Sequence, residues 1–154
     1  MTAQQTTEKR RTFPSWAIGP FTRHPANPRL RPDRSHWDDA HSFNPAVVRH
    51  QDQLAMLYRG ENANGEMGIC LATSKDGITF ERYPRNPVLR SQKQEINPHD
   101  PRVWSHGDTW YMTYNAWVSD DHQRLYSVRD NLKLEGRPVY QCVATSTDLV
   151  NWKR

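Results

Sequence analysis

Apolar and aromatic residues in this chain come in short runs bounded by Gly, Asp and Asn turns, which is the signal of strands and hairpins. Residues 46–49 and 54–58 read as two strands around the turn Gln51-Asp52. Residues 102–104 and 109–114 read as two more around Ser105-His106-Gly107-Asp108. A further strand is predicted over 69–74, and the turn Ser74-Lys75-Asp76-Gly77 leads to a short edge strand over 78–81. No stretch predicts a helix longer than one turn. The segment 119–137 has room for a short helix or a long hairpin.

The pattern repeats. His24-Pro25-Ala26-Asn27-Pro28 matches Tyr83-Pro84-Arg85-Asn86-Pro87 at an offset of 59 residues. Phe43-Asn44-Pro45-Ala46-Val47 matches His99-Asp100-Pro101-Arg102-Val103 at 56, and Leu57-Tyr58-Arg59 matches Thr113-Tyr114-Asn115 at the same offset. Cys70-Leu71-Ala72-Thr73-Ser74 matches Cys142-Val143-Ala144-Thr145-Ser146 at 72, so the second unit carries an insertion of 16 residues between Trp117 and Tyr140. Four antiparallel strands per unit make a propeller blade, close to the ~40–50 residues of familiar blade repeats. The expected fold is all-β, a partial propeller of two four-stranded blades at about 37–83 and 98–154. An extended arm over 19–34 precedes them, and a polar tail covers 1–18.

Composition narrows the function. A mean hydropathy of −0.97 and no long apolar run exclude a membrane helix. Six Trp, six Tyr and four Phe are too many aromatics for a disordered chain. The net charge of +4 comes from dispersed Lys and Arg, with one tight cluster at Lys9-Arg10-Arg11, so a solvated mixed surface is expected and no nucleic-acid partner. Arg10-Arg11-Thr12-Phe13 has the look of a twin-arginine signal, but no apolar stretch follows, so export is not expected. Two cysteines at equivalent places in different blades make no disulfide framework. Both are expected as small buried hydrophobes in a reduced, cytoplasmic protein. In the element Ala-Thr-Ser-x-Asp, Ser and Asp are expected to satisfy backbone groups of a tight turn. Trp104, Trp110 and Trp117 are expected in core packing.

Several ordered motifs carry a resemblance. They are Gly19-Pro20-Phe21-Thr22-Arg23-His24-Pro25, Phe43-Asn44-Pro45-Ala46-Val47, Leu57-Tyr58-Arg59-Gly60-Glu61, Asn86-Pro87-Val88-Leu89, Asp100-Pro101-Arg102-Val103 and Tyr111-Met112-Thr113-Tyr114. In this order they resemble glycoside hydrolase family 130, the β-mannoside phosphorylases and β-mannosidases, over residues 19–154 and the first two blades of a five-bladed propeller. The resemblance implies an oligosaccharide substrate and no cofactor, with inorganic phosphate as co-substrate in the phosphorylases and water in the hydrolytic members. It makes Asp100 the catalytic acid; in the phosphorylases that acid relays its proton through a sugar hydroxyl while phosphate attacks with inversion. By the same carry-over Asn44 and Arg59 bind the sugar, and Tyr114 and Asn115 join them. A sugar calls for such carboxylates, amides and Arg forks, and the repeat presents Asn44 and Asp100 at equivalent places.

Bland readings stand beside these: an Asn-Pro turn at Asn44, an ion pair of Arg59 with Glu61, a turn or cap at Asp100, and inter-blade packing for Tyr114. The chain departs from the family at His99, where an acidic residue is usual. His99 with His41 or His106 makes no recognisable metal spacing. The phosphate-binding residues implied by the family lie in later blades, so the isolated chain is expected to be inactive. A related family 43 or 32 hydrolase is the first alternative, although those place a catalytic Asp where this chain has Asn44. A non-catalytic carbohydrate-binding propeller piece is the second. Open faces and edges are expected to invite oligomerisation or a complementary chain.

Overall fold

The computed structural model describes residues 18–118 and 139–154. The tail and the insertion over 119–137 therefore lie outside the described residues, apart from Ile18. The described residues contain seven strands and no helix. β1 (His41–His50), β2 (Gln53–Glu61), β3 (Met67–Ser74) and β4 (Glu81–Arg82) form an antiparallel sheet in chain order. β5 (Glu95–His106), β6 (Thr109–Val118) and β7 (Val139–Ser146) form a second. Each sheet opens with a tight hairpin whose first turn residue has positive φ, 55° at Gln51 and 56° at Gly107.

The fold is the all-β blade pair expected, with two differences. The second sheet has three strands where four were expected; in place of the fourth it makes one isolated bridge, Thr145 to Lys153. Its counterpart in the first sheet is the Thr73–Glu81 pairing. There the ladder is extended by a rung from the Tyr83 amide to the Leu71 carbonyl at 2.9 Å. The edge strand expected over 78–81 is shorter, because Asp76 Oδ1 accepts the amides of Ile78 and Thr79 and withdraws them from the ladder.

The two sheets pack face to face. Ala55, Leu57, Ile69 and Leu71 of the first meet Met112, Tyr114, Ala116 and Ala144 of the second. The opposite face of the first sheet carries Met56, Tyr58, Cys70 and Ala72, and Leu30 from the arm, Trp37 ahead of β1 and Phe80 cover it. The opposite face of the second sheet is open: Trp104, Val139 and Val143 are about half exposed. Trp104 therefore departs from the core expectation and stacks on Tyr111 instead, at 5.7 Å. Trp110 packs against the core, and Trp117 meets His99 edge-on at 6.1 Å. Both cysteines are free; Cys70 is buried, but Cys142 is only partly so.

Each blade carries the same polar clasp. In the first, the Tyr58 hydroxyl donates to Asp38 Oδ2 at 3.1 Å, and Arg82 donates to both Asp38 oxygens at 3.0 Å and to the Arg31 carbonyl. In the second, the Tyr114 hydroxyl donates to Glu95 Oε2 at 2.7 Å, and Arg154 donates to that oxygen at 2.9 Å and to the Arg90 carbonyl. Burial, reinforced by Cys70 and the Asp38 carboxylate, pushes the Tyr58 hydroxyl well above the usual phenol range.

Candidate functional site

The site begins with two bulges. The β1–β2 register shifts between Phe43 and Ala46, and the β5–β6 register shifts on either side of His99. An extra residue in one strand re-aims a side chain that would otherwise lie in the pleat. At both bulges a short polar residue precedes a proline and adopts left-handed backbone, φ 49° at Asn44 and φ 56° at Asp100. Asn and Asp are the side chains that tolerate this region best. The two bulges face each other, and Asn44 Nδ2 donates to Asp100 Oδ1 at 2.6 Å. Residues the repeat makes equivalent thus touch across the blade boundary.

Arg59 lies opposite Phe43 in the β1–β2 ladder. Its guanidinium sits 5.1 Å from the centroid of the Phe43 ring, and its Nη2 pairs with Glu61 Oε2 at 3.2 Å. Its Nε is buried with no hydrogen-bond partner. The ion pair with Glu61 is therefore real and still leaves one donor unsatisfied. His41 stacks on the other neighbour of this cluster, Phe43, at 5.2 Å. Phe43 orients Arg59 and was not singled out from the sequence; its signal was its place one residue before Asn44, opposite Arg59.

Tyr114 and Asn115 do not join this group in the same way. Tyr114 is 1% exposed and belongs to the inter-blade core, its hydroxyl bound to Glu95. Burial and that bond push its hydroxyl well above the usual phenol range, so it serves the packing rather than an open cleft. Asn115 pairs with His99 in the β5–β6 ladder, next to Asp100 in sequence. His99 is almost wholly buried, with Nδ1 2.7 Å from the Asn97 carbonyl. Among the described residues no three His, Cys, Asp or Glu side chains are grouped to hold a metal ion.

A groove of about 420 Å³ adjoins Asn44, between Pro28, Arg29 and Leu30 of the arm and Ser42, Phe43 and Pro45 of β1. Met56 and Tyr58 of β2 complete its lining, and of the expected site residues Asn44 alone borders it; Arg59 and Asp100 do not.

The sequence profile of the glycoside hydrolase 130 family, described as β-1,4-mannooligosaccharide phosphorylase, matches residues 7–154. The chain belongs to glycoside hydrolase family 130. Among curated relatives it is 29% identical over 148 residues to a β-1,2-mannobiose phosphorylase of Thermoanaerobacter sp., covering 86% of this chain and 44% of that protein. It is also 32% identical over 106 residues to the sucrose-6-phosphate hydrolase of Bacillus subtilis, covering 64% of this chain and 22% of that one. The chain thus spans less than half the length of these relatives. Among solved structures, a family 130 protein described as targeting β-1,2-mannosidic linkages in Candida mannan superposes with a TM-score of 0.74 at 26% identity, covering 94% and 43% of the two chains. A glycosyl hydrolase from Bacteroides ovatus superposes with a TM-score of 0.71 at 26% identity, covering 92% and 42%. These family 130 likenesses cover more of the chain than the sucrose-6-phosphate hydrolase does. Among the described residues no helix is long and apolar enough to cross a membrane.

Proposed function

We propose that this chain supplies the first two blades of a β-mannoside phosphorylase, acting on β-mannosyl oligosaccharides with Asp100 as proton donor. The observation that carries the reading is the contact between Asn44 and Asp100, which brings equivalent polar residues of two blades to one point beside an open groove. In the reaction the proton of Asp100 passes to the glycosidic oxygen, directly or through a sugar hydroxyl. The bond from the anomeric carbon to that oxygen breaks, and a phosphate oxygen bonds to the opposite face with inversion. Arg59, whose side chain is 22% exposed, offers its guanidinium fork to the sugar hydroxyls. Asn44 offers its amide oxygen to the same ring, and Asn115 lines the second blade.

No cofactor or metal enters this scheme, and phosphate is a substrate. The half-exposed Trp104, Val139 and Val143 support a further sheet covering the second blade, from the same protein or a complementary chain. Two free cysteines support a cytoplasmic setting.

The test assays β-1,2- and β-1,4-linked mannobiose, with and without phosphate, using the chain alone and joined to the remaining blades of a family relative. The chain alone is expected to be silent and the completed propeller active, with Asp100→Asn costing about 10²–10⁴-fold in turnover. A completed propeller indifferent to Asp100→Asn would remove the acid assignment.

A further inference from the structure

We propose that Asn44 is a positioning residue for the proton donor, its amide fixing the carboxyl of Asp100 in one orientation where the two blades meet. The inference rests on Asp100 being the acid and adds what holds that acid in place.

Both residues occupy left-handed backbone directly before a proline. Such conformations persist only when the surroundings over-determine them. Here the surroundings are two bulges at corresponding places in β1 and β5, each turning a short side chain toward the other. At 2.6 Å the Nδ2 to Oδ1 contact is a short, direct hydrogen bond. An amide N–H donates and cannot accept, so Oδ1 is selected as the acceptor. A proton carried by Asp100 then resides on Oδ2, which no hydrogen bond engages among the described residues. General acid catalysis needs that proton aimed at the reacting oxygen. An untied carboxyl on a bulge samples several χ1 wells. His99, the residue before Asp100, turns its Nδ1 to the Asn97 carbonyl, and Arg59 pairs with Glu61, which leaves the tie on Asp100 to Asn44. An amide also suits the place better than a carboxylate, since two carboxyl groups this close would share one proton.

Asn44→Gly deletes the amide while favouring the left-handed backbone, so the bulge survives; Asn44→Ala is its companion. In the 154-residue chain the Hα–Hβ couplings of Asp100 are expected to show one χ1 rotamer, and averaging in both variants with the methyl spectrum unchanged. A single rotamer kept in Asn44→Gly overturns the proposal, and Asn44→Ala decides if the glycine variant loses its fold. The wild-type chain gives a second reading. One Asn44 side-chain amide proton should lie downfield and return to its ordinary position in Asp100→Ala; an undisplaced proton also overturns the proposal. On the completed propeller, Asn44→Gly and Asp100→Asn should each lose on the order of 10²-fold more on mannobiose than on a dinitrophenyl mannoside, whose leaving group needs no proton and on which a lost sugar contact weighs equally. That contrast in Asp100→Asn but not in Asn44→Gly overturns the positioning role and keeps the acid. Its absence in Asp100→Asn removes the acid, while the couplings still judge Asn44.

Discussion

In the first blade, β2 is buried on both faces, with Ala55, Met56, Leu57 and Tyr58 enclosed in succession. In the second, the equivalent β6 alternates, with Met112, Tyr114, Ala116 and Val118 buried and Tyr111, Thr113, Asn115 and Trp117 only partly so. The chain composition follows the same division. β2 is a run of apolar residues, and β6 interleaves them with Thr and Asn. The clasps differ in depth as well: the Arg82 and Asp38 side chains are 9% and 0% exposed, those of Arg154 and Glu95 22% and 18%. One plan thus serves a blade packed on both sides and a blade packed on one, and the polar anchor sits in the low-dielectric setting only in the first.

The sharpest way to break this comparison is to cut the two clasps in parallel. Asp38→Ala leaves the Arg82 guanidinium and the Tyr58 hydroxyl buried without their acceptor and is expected to cost about 3–5 kcal/mol. Glu95→Ala, with solvent at hand, is expected to cost about 1 kcal/mol. Urea unfolding of the two variants measures the gap, and equal losses would show that depth does not separate the blades.

A second pair probes the backbone beside each clasp. Gly60 and Ala116 stand at the same place in β2 and β6. A Cβ on Gly60 would lie 2.6 Å from Cys70 Sγ and 2.9 Å from Asp38 Cβ, so Gly60→Ala should cost about 1–3 kcal/mol. Ala116→Gly should cost about 1 kcal/mol, from lost strand preference and a lost buried methyl. Thermal melts of both variants decide. A neutral Gly60→Ala would mean that Cys70 and Asp38 can give way.

The smallest effect is where the blades agree. Ser74 with Asp76 and Ser146 with Asp148 build the same turn, although Gly77 occupies the left-handed position in one and Leu149 in the other. Amides of Thr79 and Ile78 hold Asp76 down at about 2. Burial alone would raise Asp148, yet the amides of Asn151 and Val150 and the Asn151 side chain hold it at about 2 as well. Both carboxylates are depressed below 3.8, so their contribution is complete above pH 4 and is lost as pH falls through about 2. Replacing both by Asn should flatten the stability profile between pH 4 and 2 and leave it sloped elsewhere, as followed by acid titration of the fold.

The repeated motifs make the blade pair legible in the sequence. Asn44 and Asp100 stood out because each precedes a proline at the same offset, and those are the residues whose backbone the bulges bend. Tyr114 was legible as a tyrosine of the repeat but not as a core residue. Its partner Glu95 sits at the place of Asp38, and the change of residue type hides the equivalence. Arg82 and Arg154 lie just past the last matching block, so no local pattern pointed to them. The exposure of Trp104 depends on what faces the second sheet, and no strand carries that information about its neighbours.

The clasps also mark where one repeat ends and the next begins. Each arginine reaches back to a carbonyl that precedes its own inner strand, Arg82 to Arg31 and Arg154 to Arg90. Arg31 and Arg90 are separated by the same 59 residues as His24 and Tyr83. A repeat that holds its own clasp therefore includes the linker ahead of the sheet. Drawn this way, one repeat runs over residues 24–82 and the next starts at 83 with nothing left between them, which makes the linker a working part of each repeat rather than a spacer between two.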